Sequence, residues 1–130
     1  VIYYGDEIGM TGGNDPDCRR MMRFEGWNNR EEALFEKVAA LNHLRRGNMA
    51  LVYGDYMQLH VGEQTFAYAR KYFDTNVVVC INNSTEEQTF ELDVEALNAS
   101  GYKALFGKEY KLEGNKLTIT LPALTSEVLY

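Results

Sequence analysis

The feature that most constrains the fold is a change in the spacing of apolar residues near Gly47. From about Glu31 to Arg46 the apolar residues recur at the spacing of a helix that buries one side: Leu34, Phe35, Val38, Leu41 and Leu44. From Asn48 onward apolar and polar residues alternate in short runs separated by turn residues. That pattern is typical of an antiparallel sandwich. The sequence therefore predicts a mainly β chain with a boundary at Gly47, dividing residues 1–46 from an all-β domain over residues 47–130.

The helix is predicted to carry clear signals at both ends. Asn29 is the predicted N-cap, with Glu32 three residues further on. Acidic residues in the first turn favour the positive end of the helix dipole, and Arg45-Arg46-Gly47 closes the other end.

Short period-two runs predict the strands of the second part. The predicted strands are Met57–Val61, Thr65–Tyr72, Asn76–Ile81, Gln88–Leu92, Tyr102–Phe106, Glu109–Leu112, Lys116–Leu121 and Ser126–Tyr130. The run from Val77 to Ile81 is continuously apolar, which predicts a central strand covered on both faces.

Charge and composition exclude several classes of protein. The net charge of −6 and pI near 4.9 argue against a nucleic-acid partner, because such proteins need a basic face. No apolar run approaches the roughly 18 to 20 residues that span a bilayer, so no membrane span is expected. Cys18, Cys80, His43 and His60 are too scattered for a metal site, so no metal or cofactor is expected in this chain.

The first 28 residues have a different character. Val1-Ile2-Tyr3-Tyr4 predicts a short apolar strand, and a loop rich in glycine and acids follows it. The chain has no initiator Met and no basic segment of a signal peptide. We therefore expect a piece of a longer protein, called the parent below.

The residues Ile2-Tyr3-Tyr4-Gly5-Asp6-Glu7-Ile8-Gly9 resemble the eighth-strand motif of the α-amylase superfamily, glycoside hydrolase family 13. The loop Gly12-Gly13-Asn14-Asp15-Pro16-Asp17-Cys18-Arg19-Arg20 is similar to the loop of its neopullulanase and cyclomaltodextrinase branch. The order of helix and strands agrees as well, although Arg20-Met21-Met22-Arg23-Phe24-Glu25-Gly26-Trp27-Asn28 departs from the Pro-Met-x-Trp-Asp pattern of many relatives.

The resemblance implies that residues 1–46 are the last strand, loop and helix of a catalytic (β/α)8 barrel, and that residues 47–130 are its C-terminal β-sandwich. It implies a parent that is a retaining glycosidase acting on α-glucans such as starch, maltodextrin, pullulan or cyclodextrin. The catalytic carboxylates of the family would precede Val1, so no catalytic residue is expected here and the isolated chain should be inactive. The rest of the barrel is the implied partner, with calcium and secretion or a periplasmic location as further expectations for the parent.

The resemblance also suggests a substrate-binding pair, Asp15 and Arg19. In the neopullulanase-like branch the matching acid and arginine hold a sugar, because hydroxyl groups both donate and accept hydrogen bonds. The alternative is that Asp15 shapes the loop while Arg19 pairs with it. For Gly5, Asp6 and Glu7 a structural role is favoured, with the glycine permitting the turn and the acids anchoring the loop.

Two roles for the isolated chain stay open. It is a non-catalytic structural domain, or it is a carbohydrate-binding module with several aromatic side chains aligned on one sheet face. The candidates for such a surface are Tyr68, Tyr72, Tyr102 and Tyr110, with Trp27 and Tyr56 as isolated aromatics. An unrelated adaptor with a chance motif is the weakest explanation, because it does not account for the motif order.

The truncated chain is also expected to associate with itself. Residues Val1–Tyr4 and the helix over Glu31–Arg46 would both lack their barrel neighbours. An unpaired apolar strand is a template for another chain.

Overall fold

A computed structural model describes Ile2–Tyr130, and antiparallel strands dominate it. Its contacts divide the chain into two compact units, one of the described residues up to Arg45 and the other of Arg46–Tyr130. The predicted class, an antiparallel sandwich with a small helical portion, is confirmed. None of the helices in the described part is both long enough and apolar enough to cross a membrane.

Within Ile2–Tyr130, two α-helices precede the strands. Helix α1 spans Asn29–Gly47 and helix α2 spans Met49–Tyr53, and single 3-10 turns occupy Asp6–Ile8, Asp17–Arg19 and Glu95–Leu97. The side chain of Asn48 caps α2 by accepting the backbone N–H groups of Ala50 and Leu51, at 3.0 and 3.4 Å. Helix α2 packs against the strands Thr65–Tyr72 and Thr75–Asn82, and its Ala50 is fully buried.

In the part of the chain that the structure describes, seven strands form two sheets, called A and B. The strands are β1 (Asp55–Val61), β2 (Thr65–Tyr72), β3 (Thr75–Asn82), β4 (Gln88–Asp93), β5 (Tyr110–Glu113), β6 (Lys116–Leu121) and β7 (Thr125–Leu129). Sheet A has the order β1-β2-β3-β7, sheet B has the order β4-β6-β5, and every pairing is antiparallel.

The core lies between the two sheets. Alternate residues of both sheets form it: Ala67, Ala69, Val78, Cys80, Phe90, Leu92, Leu117, Ile119, Leu121 and Leu129, with Val94 and Leu97 closing one side. Strand β3 is central and is buried from Val77 to Cys80, as the continuous apolar run predicts.

Two predicted strands are wrong. Val1 lies outside the described residues, and Ile2–Tyr4 form no strand, because all the strands in the described part begin at Asp55 or later. The stretch Tyr102–Phe106 makes only one isolated bridge, between Ala104 and Leu129. The cause is the side chain of Glu127, which accepts the N–H of Val128 that a regular ladder would use.

The N-cap of α1 is also shifted by one residue. The cap is Asn28 rather than Asn29, since its Oδ1 accepts the N–H groups of Arg30 and Glu31 at 2.9 and 3.2 Å. Glu31 Oε2 reciprocates by accepting the Asn28 N–H at 2.9 Å, which makes a capping box. No residue of α1 is buried within the described chain.

Candidate functional site

The turn after Tyr4 is held by the two acids of the motif. Asp6 Oδ2 accepts the N–H of Tyr3 and Glu7 Oε2 accepts that of Gly5, each at 2.8 Å. Gly5 has a φ of 93°, and a Cβ at that position would lie 2.8 Å from the sulfur of Met10. The structural role predicted for Gly5, Asp6 and Glu7 is therefore confirmed.

The loop that follows brings Asp15 and Arg19 together. Arg19 is the last residue of the 3-10 turn Asp17–Arg19 and follows Asp15 by four residues. Its Nε lies 2.9 Å from Asp15 Oδ1. Both side chains remain largely open to solvent, at 62% for Asp15 and 70% for Arg19. The pair can therefore meet a ligand from solvent, and it is equally the contact that a bracing role requires.

A second acid and arginine brace the same loop. Arg20 binds both oxygens of Asp17, at 2.7 and 2.8 Å, and Asp17 Oδ2 also accepts the N–H of Gly13 at 2.7 Å. The bond from Arg20, followed by that from Gly13, lowers the pKa of Asp17, and Asp17 in turn raises the pKa of Arg20. The ion pair between Asp17 and Arg20 was not predicted from the sequence, although a spacing of three residues between an acid and an arginine was a usable signal.

Two of the aromatic candidates do not form a surface. Tyr102 and Tyr110 pack against the core between the sheets. The Tyr110 hydroxyl accepts the N–H of Tyr102 and donates to its carbonyl, both at 2.6 Å, and the Tyr102 hydroxyl donates to Asn76 at 2.7 Å. Burial, then the nearby Tyr110, raises the pKa of Tyr102 to about 12.

Tyr68 does lie in an aromatic row, on the outward face of sheet A. Since Ala67 and Ala69 point into the core, the alternate residues of β2 point outward. The Tyr68 ring centre is 5.7 Å from that of Tyr56 and 5.8 Å from that of Phe66. Tyr72 lies further along the same strand, with its ring 6.0 Å from that of Tyr53.

The outward face of sheet B has a different chemistry. Its exposed positions are threonine, lysine and acid side chains, including the 2.9 Å contact between Lys116 and Glu91. A depression of about 830 Å³ there is lined partly by Glu87, Lys108 and Thr120. The two faces of the sandwich are therefore unequal, one aromatic and the other charged.

Trp27 is engaged next to the helix. Its ring centre lies 5.0 Å from that of Phe35, and its indole N–H donates to the carbonyl of Arg23 at 3.0 Å. Within the described residues, no cluster of three or more His, Cys, Asp or Glu side chains could hold a metal ion.

Comparison with known sequences identifies related proteins. The profile of the alpha-amylase C-terminal domain family matches residues 54–129. A cyclomaltodextrinase of Thermoanaerobacter pseudethanolicus is 38% identical over 89% of this chain, and neopullulanase 2 of Thermoactinomyces vulgaris is 36% identical over 100% of this chain. The chain spans only 20% and 23% of the length of these two relatives.

Solved structures agree with the sequences. The native debranching enzyme of Nostoc punctiforme superposes with a TM-score of 0.84 at 35% identity, over 98% of this chain and 27% of that enzyme. An alpha-amylase from Anoxybacillus gives a TM-score of 0.84 at 31% identity, with the same two coverages.

These matches confirm the resemblance to the α-amylase superfamily that the strand motif and the loop predict. The matched profile begins at Gly54, directly after α2, and ends with the last residue of β7. The chain belongs to the alpha-amylase C-terminal domain family.

Proposed function

We propose that the chain is the C-terminal part of a retaining glycoside hydrolase that acts on α-glucans, and that its own role is structural. In this proposal residues 1–46 complete a catalytic (β/α)8 barrel, residues 47–130 form the C-terminal domain, and the catalytic carboxylates belong to the rest of the parent. The names of the relatives support this substrate class, since cyclomaltodextrinase and neopullulanase both act on α-glucans.

The observation that carries the structural role is the contrast between the two outward faces. Tyr56 is 56% exposed in a row with Phe66 and Tyr68, whereas the face of sheet B carries charged and hydroxyl groups suited to water. An apolar surface of this kind marks an interaction site rather than a solvated one. We assign the row to contact with the rest of the parent.

The first test concerns catalysis by the chain alone. We expect the purified chain to release no maltose from maltotriose, because in this proposal the nucleophile and the acid lie in the rest of the parent. Steady hydrolysis by the purified chain that disappears on changing one of its own carboxylates would refute the assignment.

The second test separates the structural role from the alternative, a carbohydrate-binding module, which the same aromatic row favours. Tyr56→Ala in the intact parent should lower the melting temperature and leave the affinity for maltoheptaose unchanged. The matched control is Lys111→Ala on the face of sheet B, which should change neither. Loss of maltoheptaose binding without loss of stability would favour the carbohydrate-binding module instead.

We further propose that Asp15 and Arg19 hold a sugar unit of the substrate in the parent. Their solvent-open ion pair at 2.9 Å supports this, because Arg19 can turn its remaining donors to hydroxyl groups. Arg19→Ala should then reduce kcat/KM for long maltooligosaccharides by about tenfold or more, the value of a hydrogen bond to a charged group, with little effect on short ones.

The control for that experiment is Arg20→Ala. Arg20 binds Asp17 and braces the loop, so its loss should affect long and short substrates alike. An Arg19→Ala variant that behaves in the same way as Arg20→Ala would show that Arg19 only braces the loop.

A further inference from the structure

Glu127, near the middle of β7, is a fully buried glutamate in the part of the chain that the structure describes. Its carboxylate accepts backbone N–H groups rather than a cationic side chain. Oε1 accepts from Phe106 at 2.9 Å and from Val128 at 2.7 Å, and Oε2 accepts from Lys108 at 2.8 Å. A fully buried carboxylate is tolerated here because each of its oxygens is hydrogen-bonded.

These bonds explain why Tyr102–Phe106 is not a strand. Lys103 and Tyr130 exchange two backbone hydrogen bonds, at 2.7 and 2.9 Å, and Leu105 N–H donates to Val128 carbonyl at 2.9 Å. A regular antiparallel ladder would return the Val128 N–H to Leu105. That N–H donates to Glu127 instead, so the ladder stops after a single bridge.

The carboxylate sits where the chain changes sheets. Residues 103–105 run beside β7 at the edge of sheet A, and β5 in sheet B begins at Tyr110. Between them Gly107 has a φ of 77°, flanked by the two residues whose N–H groups converge on Glu127. Successive N–H groups around a left-handed residue form a concave anion site.

We propose that Glu127 is a built-in anion that folds the crossing segment Lys103–Glu109, and that removing its side chain opens a site for a small carboxylate. The segment is closed at its ends by the Tyr102 and Tyr110 contact, so the N–H groups of Phe106 and Lys108 remain near their positions when the carboxylate is lost. Formate has the charge and the two oxygens needed to replace it.

The experiment compares Glu127→Ala with Glu109→Ala, an exposed acid of the same segment. Glu127→Ala should melt at a lower temperature than the unaltered chain and should regain stability in formate, but not in chloride of equal ionic strength. Glu109→Ala should melt close to the unaltered chain and should respond to neither salt. Glu127→Gln should be destabilised without rescue, because its amide fills the space and its NH2 group points a donor at an N–H where Glu127 has an accepting oxygen.

Hydrogen exchange in the unaltered chain provides a measurement that does not depend on a variant folding. The amide protons of Phe106, Lys108 and Val128 should exchange as slowly as those of the core strand β6. Fast exchange at Phe106 and Lys108, or a Glu127→Ala variant that gains no more from formate than from chloride, would overturn the proposal.

Discussion

Cys18 and Cys80 share one chemistry and have opposite surroundings. Cys18 is exposed in the loop and Cys80 is buried in β3, and both are free thiols. Burial, then the negative charge of Glu127, raises the pKa of Cys80 to about 12. Iodoacetamide at pH 8 should therefore label one thiol in the folded chain and two in guanidinium, counted by mass spectrometry. Two labels under native conditions would contradict the buried placement of Cys80.

Cys80 and Tyr102 predict a loss of stability in alkali. The pKa of Cys80 is raised from 9.0 to about 12 and that of Tyr102 from 10.0 to about 12. Between these values the unfolded chain releases protons that the folded chain retains, so the free energy of unfolding decreases as pH rises. Urea titrations from pH 8 to pH 11 should show that decrease. Cys80→Ala should flatten the slope but not abolish it, because Tyr102 still contributes.

The capping box of α1 gives a prediction for an element. Asn28→Ala removes the acceptor for the N–H groups of Arg30 and Glu31 and should cost the helix about 1 kcal/mol. The amide exchange of those two residues should become faster. Asn29→Ala, one residue inside the helix, is the matched control and should leave their exchange nearly unchanged. Equal effects of the two variants would show that the box does not hold the helix end.

Particular elements show where prediction from sequence succeeds. The bounds of β2 and β6 are those predicted, because an alternating run between clear turns determines both ends. The N-cap is ambiguous from sequence, since Asn28 and Asn29 each have a glutamate three residues later, and only the three-dimensional contacts separate them. The crossing segment was missed because the acceptor that ends its ladder, Glu127, lies about twenty residues further along the chain.

In the candidate site, too, local contacts were easier to predict from the sequence than contacts between strands. The contact between Asp15 and Arg19 belongs to the alternative in which Asp15 shapes the loop and Arg19 pairs with it, and that contact forms. The aromatic row was not predictable in full, because Tyr56, Phe66 and Tyr68 align only through the pairing of β1 with β2.

At the scale of the whole molecule, α1 predicts self-association. Leu34, Phe35 and Leu41 are 37%, 40% and 41% exposed in the single chain. Sedimentation should show a concentration-dependent dimer or larger species, because the free energy falls when such side chains leave water. Leu41→Glu should weaken it, while His43→Glu should add the same charge with a smaller effect. A chain that sediments as a monomer at every concentration would rule out this association.

Asn82 has a consequence for the way in which the sandwich loses its structure. Its buried side-chain amide donates to the carbonyls of Glu86, Leu121 and Pro122, at 2.8, 3.1 and 2.9 Å. Glu86 lies on the connection from β3 to β4 and Pro122 on that from β6 to β7, so one residue joins two crossings between the sheets. Neither crossing can open while this amide keeps its partners. The two sheets should therefore melt as one cooperative unit, with equal calorimetric and van't Hoff enthalpies over residues 48–130. Asn82→Ala should lower the temperature of that single transition, because three carbonyls lose their donor while the core between the sheets remains.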